Sequence, residues 1–116
     1  MYRVTTPTHT FTLPIDTSDC DQVQVTYQQG KNKLVFNSKD NPDEMFFDDK
    51  DVVVNLTQEE TKTFKVGTVS VQVRVLTMSG QALASQKFKI KVTDVINDEI
   101  LEPIETPEDD SGVILL

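Results

Sequence analysis

One imidazole and one thiol, His9 and Cys20, are the residues from which a nucleophile and its base would have to be built. The alternating segment Thr10 to Ile15 lies between them and reads as a strand, and no third residue completes a cysteine-hydrolase pattern. The four glycines are scattered singly, so the chain has neither a Gly-x-Ser-x-Gly elbow nor a Gly-rich phosphate loop. His9 reads as a polar strand-edge residue and Cys20 as a half-buried thiol, and the expectation is a protein that is not an enzyme.

A second chemistry is suggested by the acids of the 40–51 stretch. Asp40, Asp43, Glu44, Asp48, Asp49 and Asp51 place six carboxylates within twelve residues, and hard oxygen ligands suit Ca²⁺. The spacing is not that of an EF-hand, and the glycine its sharp turn requires is missing. A solvated loop is the plainer expectation, with Asp40, Asp43, Asp48, Asp49 and Asp51 kept as candidate Ca²⁺ ligands. Met45-Phe46-Phe47, inside that loop, is expected to anchor it in the core or to form an additional strand.

A third feature concerns partners. Lys87, Lys89 and Lys91 alternate along one strand and so share its outer face. Such a row commonly guards a strand edge against aggregation. It also suits an acidic segment, and the chain carries one: residues 94–116 hold eight acids and no Lys or Arg, leaving 11 acids and 11 bases in residues 1–93. The acidic stretch is interrupted by Pro103 and Pro107 and followed by Val113, Ile114, Leu115 and Leu116, four apolar residues able to add a strand or a plug to a partner. Lys87, Lys89, Lys91 and Val113 to Leu116 are therefore the candidate partner-binding residues. The expected organisation is a globular domain over 1–93 and a flexible or partner-docking acidic extension over 94–116.

The elements that must position these residues show as period-two alternation. Val52, Val54 and Leu56 alternate, then Val69, Val71, Val73 and Val75, then Phe88, Ile90 and Val92, each set giving one buried and one solvated face. Earlier in the chain Phe11, Leu13 and Ile15, then Val23, Val25 and Tyr27, then Leu34 and Phe36 mark three more strands. Thr57-Gln58-Glu59-Glu60 has capping-box spacing and opens a helical turn between the strands at 51–56 and 68–77, after which Phe64 returns to the core. Ser79-Gly80 marks a tight hairpin before the last strand, 82–93. Six or seven strands in about 90 residues fit an all-β, immunoglobulin-like antiparallel β-sandwich, with a small barrel as the alternative.

At 116 residues the chain makes one domain, and its single cysteine rules out an internal disulfide. No apolar run approaches the roughly 20 residues a membrane helix needs, and no secretory signal is visible. A neutral body with an acidic tail has no long-range attraction for phosphate backbones, so neither nucleic acid nor an anionic membrane is an expected partner.

The opening Tyr2-Arg3-Val4-Thr5-Thr6-Pro7-Thr8-His9-Thr10-Phe11-Thr12-Leu13-Pro14 resembles the start of small prophage-encoded proteins of Gram-positive gut bacteria. Leu56-Thr57-Gln58-Glu59-Glu60-Thr61, Gln72-Val73-Arg74-Val75-Leu76-Thr77, the Gly80 to Ser85 hairpin and Asn97-Asp98-Glu99-Ile100-Leu101 resemble blocks of the same group. The resemblance spans most of residues 2–101 and implies a phage context, in a virion or its assembly in the host cytoplasm, without implying catalysis or a cofactor. The expected function is a non-enzymatic structural or assembly module that binds phage proteins or further copies of itself. The alternative is a carbohydrate- or host-surface-binding module, Ca²⁺-assisted through the acidic loop.

Overall fold

In a computed structural model, which describes residues 1–103, the alternating segments fold into two antiparallel sheets. The smaller sheet has the order β1 (Thr8–Thr12), β5 (Asp51–Asn55), β4 (Met45–Asp48). The larger runs β3 (Asn32–Asn37), β2 (Cys20–Gln29), β6 (Gly67–Thr77), and both β7 (Ala82–Ala84) and β8 (Phe88–Val92) pair with β6. With β1 taken as strand B, these are the B-E-D and C′-C-F-G sheets of an immunoglobulin-like sandwich. The pairing leaves the two sheets unjoined among the described residues, so the architecture is a sandwich and not a closed barrel. Residues 1–3 run parallel to the end of β8: Tyr2 bridges Thr93, and Arg3 N–H donates to the Thr93 carbonyl at 2.9 Å.

The inward positions of both sheets supply the core. Val23, Val25 and Tyr27 of β2, Val52 and Val54 of β5, and Val69, Val71 and Val73 of β6 are buried, and their alternation is the one visible in the sequence. Each such side chain stabilises the fold by roughly 1.5–3 kcal/mol relative to exposure. Tyr27 is the hub, edge-on to Phe36 at 5.8 Å between ring centroids and tilted against Phe64 at 6.3 Å. Phe64 arrives there from α1 (Gln58–Lys62), whose start is fixed by a complete capping box. Thr57 Oγ1 accepts from Glu60 N–H at 3.1 Å, and Glu60 Oε1 accepts from Thr57 N–H at 2.8 Å.

Three elements differ from the sequence expectation. The first strand lies at Thr8–Thr12 and stops short of the expected Ile15, because Pro14 offers no N–H and Asp16 caps a single 3-10 turn at Thr17–Asp19. Met45-Phe46-Phe47 is the additional strand, β4, but only Met45 enters the core; Phe46 and Phe47 remain 52% and 42% exposed at the outer edge of the smaller sheet. The expected single strand at 82–93 is two strands. Arg74 opposes Ala84 and Val71 opposes Phe88, so two residues of β6 face three residues, Ser85–Lys87, in a β-bulge. Ser85 heals that break: its hydroxyl accepts the Val73 N–H at 3.0 Å.

Candidate functional site

The His9 and Cys20 side chains are committed elsewhere and not to each other. His9 Nδ1 lies 2.6 Å from Tyr27 Oη. Burial, and behind it the N-terminal charge, lowers the imidazole pKa, while burial and then Glu60 raise that of the phenol. Both shifts favour the neutral phenol and the neutral imidazole, and the tautomer of His9 sets which of the two donates. The Cys20 thiol donates to the Asp16 carbonyl at 3.6 Å. Burial, followed by the Asp19 and Asp16 charges, raises its pKa and so disfavours the thiolate.

Folding divides the candidate Ca²⁺ ligands. Asp40 and Asp43 precede β4, while Asp48, Asp49 and Asp51 sit at its far end in the hairpin to β5. Asp51 Oδ1 accepts the Thr12 hydroxyl at 2.7 Å, and Asp49 holds the turn at φ 50°. No three His, Cys, Asp or Glu residues among those described converge to hold a metal ion.

One acid of that stretch found a different partner. Glu44 lies against Glu60, and its Oε2 is a buried polar atom without a hydrogen-bond partner among the described residues. Burial, a hydrogen bond with the Glu60 carboxyl and the charges of Glu60 and Asp43 push the Glu44 pKa up to about 7. Holding Glu44 in its protonated form removes its repulsion with Glu60. No spacing rule could have found this pair, because the β4–β5 hairpin brings Glu44 to the helix start.

The lysine row proved to be one side of a larger surface. Lys89 and Lys91 stand on the outer face of β8, with Lys87 in the bulge above them, all exposed. Beside them a groove of about 470 Å³ crosses the outer face of the larger sheet, lined by amides and hydroxyls (Gln24, Thr26, Gln28, Ser70, Gln72) and by Lys33, Arg74 and Lys87. Its lining contains no acid and no aromatic ring. Among the described residues, the ion pairs involve only Arg3 and Lys39, so the cations of this face carry no carboxylate partner. Lys33 and Arg74 occupy outward positions of β3 and β6, and their parity in the sequence was the available signal.

Of the acidic stretch, the part up to residue 103 is described. Arg3 donates to Asp94 Oδ1 at 2.7 Å and to the Phe64 and Lys62 carbonyls at 2.6 and 3.0 Å. The Gln58 side chain brackets Leu101, accepting its N–H at 2.8 Å and donating to its carbonyl at 2.9 Å. Val113, Ile114, Leu115 and Leu116 lie outside the described residues. No described helix is long and apolar enough to cross a membrane.

Fold and surface together define an immunoglobulin-like β-sandwich domain with one polar, cationic sheet face. No family model matches the chain, and no curated protein matches it. Among solved structures it is similar to part of the crystal structure of a candidate glycoside hydrolase from Bacteroides vulgatus, with a TM-score of 0.50 and 10% identity. The match covers 81% of this chain and 16% of that one, so the chain spans about a sixth of that protein's length. At that identity the likeness is one of fold.

Proposed function

We propose that this domain is a non-enzymatic protein-contact module of a phage particle or of its assembly, and that it meets acidic partner surfaces through the outer face of the larger sheet. The observation that carries the reading is the groove itself: cationic, rich in hydrogen-bonding side chains, and free of acids in its lining. Opposite charge on a partner would steer encounter and fix orientation. The phage setting is supported by the sequence blocks at 2–14, 56–61, 72–77 and 97–101; in that setting the protein would act in the host cytoplasm during assembly or in the virion.

A second reading, a carbohydrate- or host-surface-binding module, draws support from the likeness to part of a candidate glycoside hydrolase and from the amides of Gln24, Gln28 and Gln72. Against it stands a groove without an aromatic platform for a sugar ring. The test is amide chemical-shift mapping on the full chain, titrated in parallel with an oligoglutamate peptide and a panel of neutral oligosaccharides. Shifts at Gln24, Gln28, Gln72 and Arg74 with the peptide alone, suppressed by salt, are expected. Shifts with an oligosaccharide alone would replace this reading with the second. No shift with either probe would refute the groove as a binding site.

A further inference from the structure

Four edges bound the two sheets, and three of them are guarded. Lys33 sits on β3, Lys89 and Lys91 sit on β8, and Pro7 and Pro14 flank β1. Lysine or proline at an edge discourages pairing with a further strand. β4 has neither within Met45–Asp48, and among the described residues it pairs with β5 alone. Asn55 N–H donates to the Glu44 carbonyl at 2.9 Å, and hydrogen-bonded pairs alternate along an antiparallel ladder. Glu44, Phe46 and Asp48 therefore bond to β5, while the N–H and C=O groups of Met45 and Phe47 point out of the open edge.

The two faces of this edge differ in chemistry. On the inner side Phe47, exposed although its parity is that of the buried Met45, walls a cleft of about 400 Å³ that continues over Cys20 and Val23 of β2. On the outer side the exposed Phe46 ring alternates with Asp48. Residues 39–50 hold five acids against two lysines, and Lys39 Nζ already lies 3.9 Å from Asp21. A carboxylate and an aromatic face both attract a cation. We infer that β4 takes a strand from a partner protein in which apolar and cationic residues alternate, the apolar ones entering the cleft and the cations lying over Phe46 and Asp48.

Backbone parity dictates that order. Residues opposite Met45 and Phe47 share the cleft side with them, and the residues between share the outer face with Phe46 and Asp48. The partner's main chain bonds the four open groups and gives affinity, while the alternation gives specificity. A second copy of this chain does not meet the requirement. Two β4 strands paired about Phe46 would set Glu44 against Asp48, acid against acid. On β8 the Lys91 carbonyl accepts the Met1 amino group, so the edge-facing backbone there belongs to the lysine positions. Pairing Lys89 with Phe47 would put the cation on the cleft side and an apolar residue beside Asp48. Neither Met45–Asp48 nor the cleft residues belong to the cationic groove, so this surface is a second one, independent of the first.

Amide chemical-shift mapping on the full chain, with mass by light scattering on the same samples, tests it. The probe is a capped peptide of three Lys-Val repeats, and the control is a capped peptide of three lysines followed by three valines. The expected result is a 13.1 kDa monomer in which the repeat peptide shifts Met45, Phe47 and Cys20 and binds at least about tenfold more tightly than the control. Phe47→Lys guards the edge and Asp48→Lys reverses its outer charge. Each should weaken the repeat peptide at least about tenfold, with melting temperatures within a few degrees of the parent. Equal affinity for the two peptides would overturn the proposal, because charge alone would then account for binding. So would unshifted amides at Met45–Asp48, or undiminished binding by either variant. A doubled mass without peptide that Phe47→Lys returns to monomer would assign the edge to a second copy and overturn it too. Gln24 and Arg74 report the groove separately, so failure here is distinguishable from failure of the groove.

Discussion

Replacing Glu44 by glutamine should stabilise the protein above neutral pH and leave it nearly unchanged at pH 5. Folding raises the Glu44 pKa from its ordinary 4.5 to about 7, because burial and the adjacent Glu60 favour the protonated form. The folded state therefore holds a proton that the unfolded state releases. The stabilising contribution is complete below pH 4.5 and is lost as pH rises through about 7. A gap of that size corresponds to an upper bound of about 3 kcal/mol. Glu44 as a residue is partly exposed, and solvent screening leaves about 1 kcal/mol. Glutamine cannot ionise, and its amide donates to the Glu60 carboxylate at every pH. Urea unfolding of the parent and the Glu44→Gln variant at pH 5, 6, 7 and 8.5, followed by far-ultraviolet circular dichroism, reads the difference. His9 titrates in both proteins and cancels in it. A stability difference independent of pH, or a Glu44→Gln variant that loses stability relative to the parent between pH 5 and pH 8.5, would refute the raised Glu44 pKa.

Thr57→Ala removes the capping-box acceptor and should cost about 1 kcal/mol, seen as a melting temperature several degrees lower. Ser85→Ala strands the Val73 N–H at the bulge and should cost about 1–2 kcal/mol in urea unfolding, more than Ser79→Ala in the exposed hairpin. Arg3→Lys keeps the charge but loses the fork that reaches Phe64, Lys62 and Asp94 together, so exchange at residues 94–101 should accelerate while core amides hold.

The strands that alternate over a fully buried inner face were legible because each inward position is apolar and each outward one polar; Val69 to Val75 is the clearest case. Where the fold bends that rule, the sequence misled. Leu83 and Phe88 both point inward though five residues apart, which a single strand forbids; the odd spacing is the trace of the bulge. Met45-Phe46-Phe47 is expected as a core anchor or an additional strand; it is the strand, and at the sheet edge it buries one residue of the three. The lysine row was visible from parity, but its extension by Lys33 and Arg74 needed the strand order, which brings β3 and β6 to either side of β2. Contacts such as Glu44 with Glu60 and His9 with Tyr27 depend on packing between elements, which residue type and spacing do not encode.

The central claim is that the cationic outer face is where this domain meets acidic protein. Titrating the oligoglutamate peptide into the full chain and into its Arg74→Glu variant, with melting temperature as the control for folding, tests it most directly. The account predicts shifts confined to Gln24, Gln28, Gln72 and Arg74 in the parent, binding weakened at least about tenfold in the variant, and melting temperatures within a few degrees. Equal binding by both proteins, or shifts centred away from the groove, would contradict it.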